Sequence, residues 1–331
     1  MNNMDMRTIV AMVLMFVVLR INGVEGGALQ YNFYEKSCPQ LEDIVRAGLQ
    51  PIFLTDPTSP AALLRLMFHD CQVQGCDASI LVDPVEADGL SEMTSAKNFG
   101  IRKRELISIL KSMVEAACPE QVSCADILVL AAREAVARSG GPQIKVPLGR
   151  RDSSTAPSYE LADTLIPPAT TGVDDMLHIF ARKGMTIEES VAIMGAHTLG
   201  VTHCLNIVNR LYKPEGGEGD QGLMEPRFEA FLRLNCPKGC LAASNASFVL
   251  NDPTALMFDN RYYMNAMGGR GVLRIDAEIV LDPRTAQIVE HFAADQDDFF
   301  HAFSTAFLKL SASGVLIGDQ GVVRNKCNVI D

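Results

Sequence analysis

Tryptophan is absent from the 331 residues, and aromatic residues together make up only 6% of the chain. An excess of positive charge is also absent: 40 Asp and Glu stand against 29 Lys and Arg, a formal net charge of −11. Such a chain repels a phosphate backbone, and no basic stripe runs along it, which excludes nucleic acid as a partner. No apolar run after the amino terminus is long enough to span a membrane. Long alternating runs are scarce, so the sequence gives little basis for a β-rich fold. Internal repeats and low-complexity segments are missing. The nine cysteines include no C-x-x-C pair, and Cys71 and Cys76 are separated by four residues, which leaves a zinc site little support. What is present is ample apolar material, 48% of residues, enough to bury a sizeable core. That rules out a disordered tail or a tiny scaffold, and the length suits one or two domains.

The amino terminus reads as an address. Arg7 precedes an apolar run from Thr8 to Leu19, and small residues follow at Gly23, Gly26, Gly27 and Ala28. This is the layout of a secretory signal peptide over residues 1–27. A membrane anchor is the competing reading, but the run falls short of the roughly 20 residues that a span needs. Cleavage near Gly27 removes Asp5 and Glu25 together with Arg7 and Arg20, so the mature charge stays at −11. Secretion turns cysteines toward disulfides. The set is Cys38, Cys71, Cys76, Cys118, Cys124, Cys204, Cys236, Cys240 and Cys327, so one is left over. Eight cysteines allow about 105 pairings, and the sequence alone does not choose among them.

Helical signals dominate the rest. Ser59-Pro60 before AALLRLMFHD places an N-cap and a first-turn proline. Thr186-Ile-Glu-Glu189 is a capping box leading into SVAIMGAH. Val173, Met176, Leu177 and Phe180 fall at helical spacing, with Gly184 just beyond as a stop. Residues 288–310 read as one or two helices. Gly140-Gly141-Pro142 and Ile166-Pro167-Pro168 are breaks, and residues 216–219 form a polar glycine-rich loop. The expected architecture is mainly α, with a division around residues 150–170.

The chemistry concentrates on the helix begun at Ser59. Arg65 and His69 are four apart and share one face. A histidine can take and return a proton while a guanidinium holds charge developing on a neighbouring oxygen. A surface arginine beside a hydrogen-bonded histidine would show the same spacing. Asp70, Asp77 and Ser79, with turn carbonyls near Val73 and Gly75, surround the short Cys71–Cys76 loop. That all-oxygen set suits a hard cation such as calcium, although the pattern is not an EF-hand. A solvated acidic turn is the alternative.

The run Leu63-Leu-Arg-Leu-Met-Phe-His-Asp-Cys-Gln-Val-Gln-Gly-Cys-Asp-Ala-Ser-Ile-Leu-Val-Asp83 resembles the distal motif of the plant secretory (class III) haem peroxidases. Gly195-Ala-His-Thr-Leu-Gly200 resembles that family's proximal motif. Further blocks match in order: NFYEKSCP, VSCADIL at Val122, PLGRRDS at Pro147, FDNRYY at Phe258 and Arg-x-x-Cys at Arg324. The resemblance spans residues 28–331. It implies a single haem peroxidase domain with haem b between a distal half (about 28–165) and a proximal half (about 166–331).

The resemblance also implies roles. His197 would ligate the iron, with Asp276 behind it to strengthen the imidazole as a donor. His69 would move the peroxide proton, Arg65 would stabilise charge, and Asn98 would accept the other ring N–H of His69. His178, His291 and His301 have no part in this scheme. The implied disulfides are Cys38–Cys118, Cys71–Cys76, Cys124–Cys327 and Cys204–Cys236, leaving Cys240 odd. Two calcium ions are implied. The distal one falls to Asp70, Val73, Gly75, Asp77 and Ser79, with Glu92 through water. The proximal one falls to Thr198, Asn251, Thr254, Met257 and Asp259. Asn251 stands where the family usually has Asp, so a weaker proximal site is expected. Pro167 matches a proline at the substrate edge. The implied reaction reduces hydrogen peroxide while oxidising small phenolic donors one electron at a time. The implied setting is a secreted monomer of the plant cell wall or apoplast, with no membrane attachment after signal cleavage. Asn245-Ala-Ser247 is a glycosylation sequon.

Several positions depart from the family's pattern. Thr58 and Ala62 stand where an Arg and a Ser help hold a haem propionate, and His203 is a candidate substitute donor. Met67, Gln72, Ile144 (where Trp is common) and Lys103-Arg104-Glu105 are further differences. They leave Arg65, His69, Asn98, His197 and Asp276 untouched. A secreted binding or structural protein with weak haem retention is the alternative function. An intracellular peroxidase of the ascorbate type is disfavoured by the signal peptide and the cysteines.

Overall fold

The computed structural model describes residues 28–84, 91–155, 158–212, 224–239 and 247–330. The expected signal peptide, the 216–219 loop, Cys240 and Asn245 of the sequon lie outside the described residues. Among the described residues there are thirteen α-helices and one two-stranded sheet, so the chain is mainly α as expected. No described helix is long and apolar enough to cross a membrane.

Four helices form the frame of the amino-terminal part. Helices α1 (Leu41–Thr55), α2 (Ser59–Gln72), α3 (Arg104–Ala117) and α4 (Cys124–Arg138) pack together, with α2 lying along α4. Helix α4 is buried almost all round, from Cys124 through Val136, as a helix at the centre of a core must be. Ser123 caps it by accepting Asp126 N–H at 3.1 Å. Helix α2 takes in Ser59 itself, so its N-cap is Thr58, one residue before the expected cap. The Thr58 hydroxyl makes no cap bond because it is engaged with the Asp56 carboxylate.

Helices α5 (Tyr159–Leu165), α6 (Val173–Ala181) and α7 (Ile187–Met194) follow. The α7 capping box is formed in both directions: Thr186 Oγ1 accepts Glu189 N–H at 3.1 Å, and the Glu189 carboxylate accepts Thr186 N–H at 2.7 Å. Helix α6 buries Val173, Met176 and Phe180 and leads into a turn closed at Gly184. Short helices α8 (Val208–Leu211) and α9 (Pro226–Asn235) precede α10 (Arg261–Met267) and α11 (Arg274–Glu278). Residues 288–310 belong to two helices, α12 (Ala286–Ala294) and α13 (Gln296–Ser311). Asp295 divides them by capping α13, accepting the N–H groups of Asp297 and Asp298. Helix α13 packs on α7 and presents Phe299 and Phe303 to Phe258, completing an apolar floor.

Strand β1 (Val201–His203) pairs antiparallel with β2 (Phe248–Leu250), with Thr202 opposite Val249. Thr202 and Val249 point inward, while Val201, Phe248 and Leu250 are exposed. Disulfides join Cys38 to Cys118, Cys71 to Cys76, Cys124 to Cys327 and Cys204 to Cys236. The second tightens the loop after α2, and the third ties the start of α4 to the carboxy terminus.

Candidate active site

A cavity of about 1070 Å³ opens between α2 on one side and the segment after α7 on the other. Arg65, Phe68 and His69 line it from α2; Ala196 and His197 line it from the opposite wall. The size and the largely apolar walls suit a prosthetic group such as haem.

The tautomer of His69 follows from its neighbour. Asn98 Nδ2 donates to Glu92 O at 2.7 Å, which turns the amide so that Oδ1 faces the ring. His69 Nδ1 lies 2.7 Å from that oxygen, so Nδ1 carries the hydrogen and Nε2 keeps a free lone pair. Burial and the nearby Arg65 charge push the His69 pKa down to about 3, against a smaller upward pull from Asn98. The imidazole is therefore neutral near pH 7 and able to accept a proton. Arg65 Nη2 donates to Phe99 O at 3.0 Å. Burial lowers its pKa only to about 10, so the guanidinium stays charged.

The opposite wall repeats the logic. His197 Nδ1 lies 2.8 Å from Asp276 Oδ1, which also accepts Tyr262 O–H at 2.9 Å. Asp276 Oδ2 accepts Leu273 N–H at 2.8 Å. Burial would raise this carboxyl, but His197 and the hydrogen bonds outweigh it and hold the pKa below the ordinary value. An ionised Asp276 fixes the proton on Nδ1 and leaves His197 Nε2 available as a metal ligand.

Among the described residues no Asp or Glu lines the cavity, although the whole chain is acidic; the charged side chains there are Arg65, Lys97 and Arg102. Thr58, Ala62, Arg102 and His203 all belong to its lining. Burial lowers the His203 pKa, as do Arg65 and Arg102. Pro167 and Pro168 line the cavity as well. The unusual Lys103-Arg104 pair is used structurally: Lys103 Nζ is 2.9 Å from Asp56 Oδ2, and Arg104 Nη2 is 2.9 Å from Asp83 Oδ1. Gln72 Nε2 donates to Leu165 O at 3.2 Å.

Behind His69 the chain brings together Asp70, Asp77, Ser79 and Glu92, all buried. Asp70 Oδ2 accepts Ala78 N–H at 3.1 Å, and Asp77 Oδ1 accepts Ser79 N–H at 3.0 Å. Asp70 Oδ1 and Glu92 Oε2 are buried with no hydrogen-bond partner. Burial raises the pKa of all three carboxyls, to about 8 for Glu92, and their mutual repulsion adds to it for Asp70 and Glu92. Orphaned carboxylate oxygens of this kind fit a hard cation. The main chain would have to contribute, because no set of three or more acidic, His or Cys side chains among the described residues is arranged to hold a metal ion. Val73 and Gly75 sit in the same loop, where Gly75 N–H donates to Val73 O at 2.9 Å.

The second expected cation set is brought together without the Asn251 side chain. Thr198 Oγ1 lies 2.8 Å from Asp252 Oδ2 and 3.1 Å from Asp259 Oδ1. Thr254 donates to Asp252 Oδ1 through both N–H and Oγ1, and Met257 O is 3.5 Å from Thr198 Oγ1. Asn251 is not among them. Its Oδ1 accepts Thr202 O–H at 2.7 Å and its Nδ2 donates to Leu199 O at 2.8 Å. An amide can accept and donate at once, so Asn251 serves the β1 segment. Asp252 is the residue the sequence reading missed; the carboxylate beside Asn251 was its only trace.

Comparison with known proteins agrees with this geometry. The profile of the peroxidase family matches residues 45–295. Peroxidase 29 of Arabidopsis thaliana is 57% identical over 92% of this chain and 89% of its own length. Peroxidase 28 of the same plant is 39% identical over 96% of this chain and 98% of its own, and Peroxidase 12 is 38% identical over 91% and 82%.

Proposed function

The chain belongs to the plant class III peroxidase family and is a peroxidase, and from that premise we propose how its own residues perform the reaction. The family implies haem, and when bound in the cavity it supplies the redox centre that hydrogen peroxide oxidises and that donors reduce. His197 would hold the iron, with the Asp276 carboxylate raising the donor strength of the ring. On the other side, His69 Nε2 takes the proton from the near oxygen of the peroxide. It returns that proton to the far oxygen, which leaves as water. Arg65 holds the negative charge that develops as the O–O bond breaks. Asn98 keeps His69 in the tautomer that this shuttle requires.

The donors are small phenols that reach the cavity past Pro167, and each gives up one electron and one proton. Calcium would be held in the Asp70–Asp77–Ser79 loop beside His69, a reading supported by the orphaned oxygens of Asp70 and Glu92. A second ion would be held by Thr198, Thr254, Met257 and Asp259, with Asp252 as the additional carboxylate. The protein enters the secretory pathway, and its destination is the cell wall or apoplast, as a monomer. The two halves meet at the cavity near residue 165.

The observation that carries this reading is the pairing of a neutral, correctly tautomerised His69 beside Arg65 with a carboxylate-backed His197 across one cavity. Steady-state oxidation of a simple phenol by the haem-loaded protein tests it. His69→Ala should lower the rate constant for peroxide by about 10²- to 10⁴-fold while leaving the dependence on phenol concentration nearly unchanged. An unimpaired variant would remove His69 from the proton shuttle.

A further inference from the structure

The two side chains that would hold a haem propionate are missing at positions 58 and 62, yet the cavity at that end is rich in donors. Arg102 comes from a different segment and lays its guanidinium on position 58. Its Nη2 lies 2.8 Å from both Thr58 O and Thr58 Oγ1. Its charge is only loosely met, since Nη1 is 3.7 Å from Asp56 Oδ2 and that carboxylate is taken more closely by Lys103 at 2.9 Å. His203, on β1, approaches the same end from the other side and packs edge-on against Phe99 with ring centroids 5.3 Å apart. Its ring engages the Ser247 backbone, and its Nε2 lies beside Gly100.

Gly100 makes this approach possible. Its φ is +80°, and a Cβ there would lie 2.7 Å from His203 Nε2 and 3.2 Å from Arg65 Nη1. Only a glycine lets the imidazole and the guanidinium of Arg65 close on one point of the backbone.

We propose that Arg102, seated on Thr58, and His203 together form the anchor for the carboxylates of haem, replacing the side chains lost at positions 58 and 62. A guanidinium offers a planar fork matched to a carboxylate, and an imidazole N–H supplies a single directed bond. The apolar wall residues, such as Phe180 and Ile193, supply no such bond, and no described acidic residue lines the cavity to oppose the two negative charges. The proposal rests on the haem-binding reading above and adds which residues of this chain replace the family's donors.

Haem loss from the holoprotein to an excess of a scavenging apoglobin, followed by the Soret band, reads the anchor without any turnover. Arg102→Ala and His203→Ala should each speed loss by about 10-fold or more, and the double variant by about 100-fold. Arg102→Lys should fall between wild type and Arg102→Ala, because it keeps charge but loses the fork. The same proteins reconstituted with the dimethyl ester of haem, which lacks both carboxylates, should lose it at rates that differ little between wild type and variants. Equal loss of ordinary haem from wild type and the double variant overturns the proposal. So does an accelerated loss that persists undiminished with the ester, which would make the effect one of packing. A wild-type protein that takes up neither form overturns the haem-binding reading itself, and the anchor with it.

Discussion

His69 keeps its proton on Nδ1 because Asn98 offers it only an oxygen, and Asn98 can offer only an oxygen because its amide nitrogen is committed to Glu92 O. In the proposed mechanism the protonation state of this residue is therefore set one hydrogen bond away from the reaction. Asn98→Ala removes that constraint and should slow the reaction with peroxide by about 10- to 100-fold, measured by stopped-flow absorbance with the haem content held equal. An unchanged rate would mean that another group fixes the ring. The sequence shows Arg65 and His69 sharing one helix face at four-residue spacing, and the family resemblance gave the pair its role. Asn98 and Asp276 were not legible locally, since they lie 29 and 79 positions from the histidines they orient. Only the family resemblance pointed to them. Asp252 escaped both routes. It follows Asn251 directly after a strand, where neighbouring side chains point to opposite sides, so a shift of one residue exchanges the two roles.

At the scale of elements, the turn after α2 depends on a backbone contact that no side chain tolerates. Gly75 has φ +156°, and a Cβ on it would lie 2.0 Å from Gly314 O. Gly75→Ala should cost about 2 kcal/mol or more of stability, read by thermal or denaturant unfolding. A variant as stable as wild type would show that the two loops can part freely. The start of α7 gives a pH-dependent counterpart. Partial burial works to raise the Glu189 pKa, but Lys309 and the Thr186 N–H outweigh it and hold the carboxyl below its ordinary value. Its stabilisation is therefore present above the unfolded value near about pH 4.3 and is lost as pH falls through the lower folded value. Glu189→Gln should cost about 1 kcal/mol at pH 7 and almost nothing near pH 2, by denaturant unfolding at both pH values. A deficit that is independent of pH would assign the effect to packing. The helices themselves were well marked by caps and periodicity. The Thr58 cap was misplaced by one residue because its hydroxyl prefers Asp56 to the helix, a choice invisible in the spacing.

Across the whole molecule, the amino-terminal helices and the carboxy terminus are held to one another by a covalent link and by buried charge. Cys124 and Cys327 are 203 residues apart in sequence. Asp152 Oδ2 accepts both the Cys124 N–H at 3.1 Å and the Arg324 N–H at 3.0 Å, and the buried Arg324 guanidinium donates to Ala78 O at 2.7 Å. A cross-link over so long a loop constrains the unfolded chain strongly, so Cys327→Ser should cost about 2–5 kcal/mol in equilibrium unfolding under oxidising conditions. A loss well below 1 kcal/mol would show that the native contacts carry the link alone. This long-range order was unreadable from cysteine positions, which leave the pairing open until a family pattern is recognised.

The central claim is that one cavity holds haem between His197 and the Arg65–His69 pair and couples peroxide reduction to phenol oxidation. The most direct test is the absorption spectrum of the purified mature holoprotein before and after one equivalent of hydrogen peroxide, and again after a phenol is added. The account predicts a Soret band that shifts at once with peroxide and returns with the phenol. A protein that forms no Soret band when haem is supplied, or whose band does not respond to peroxide, would contradict it.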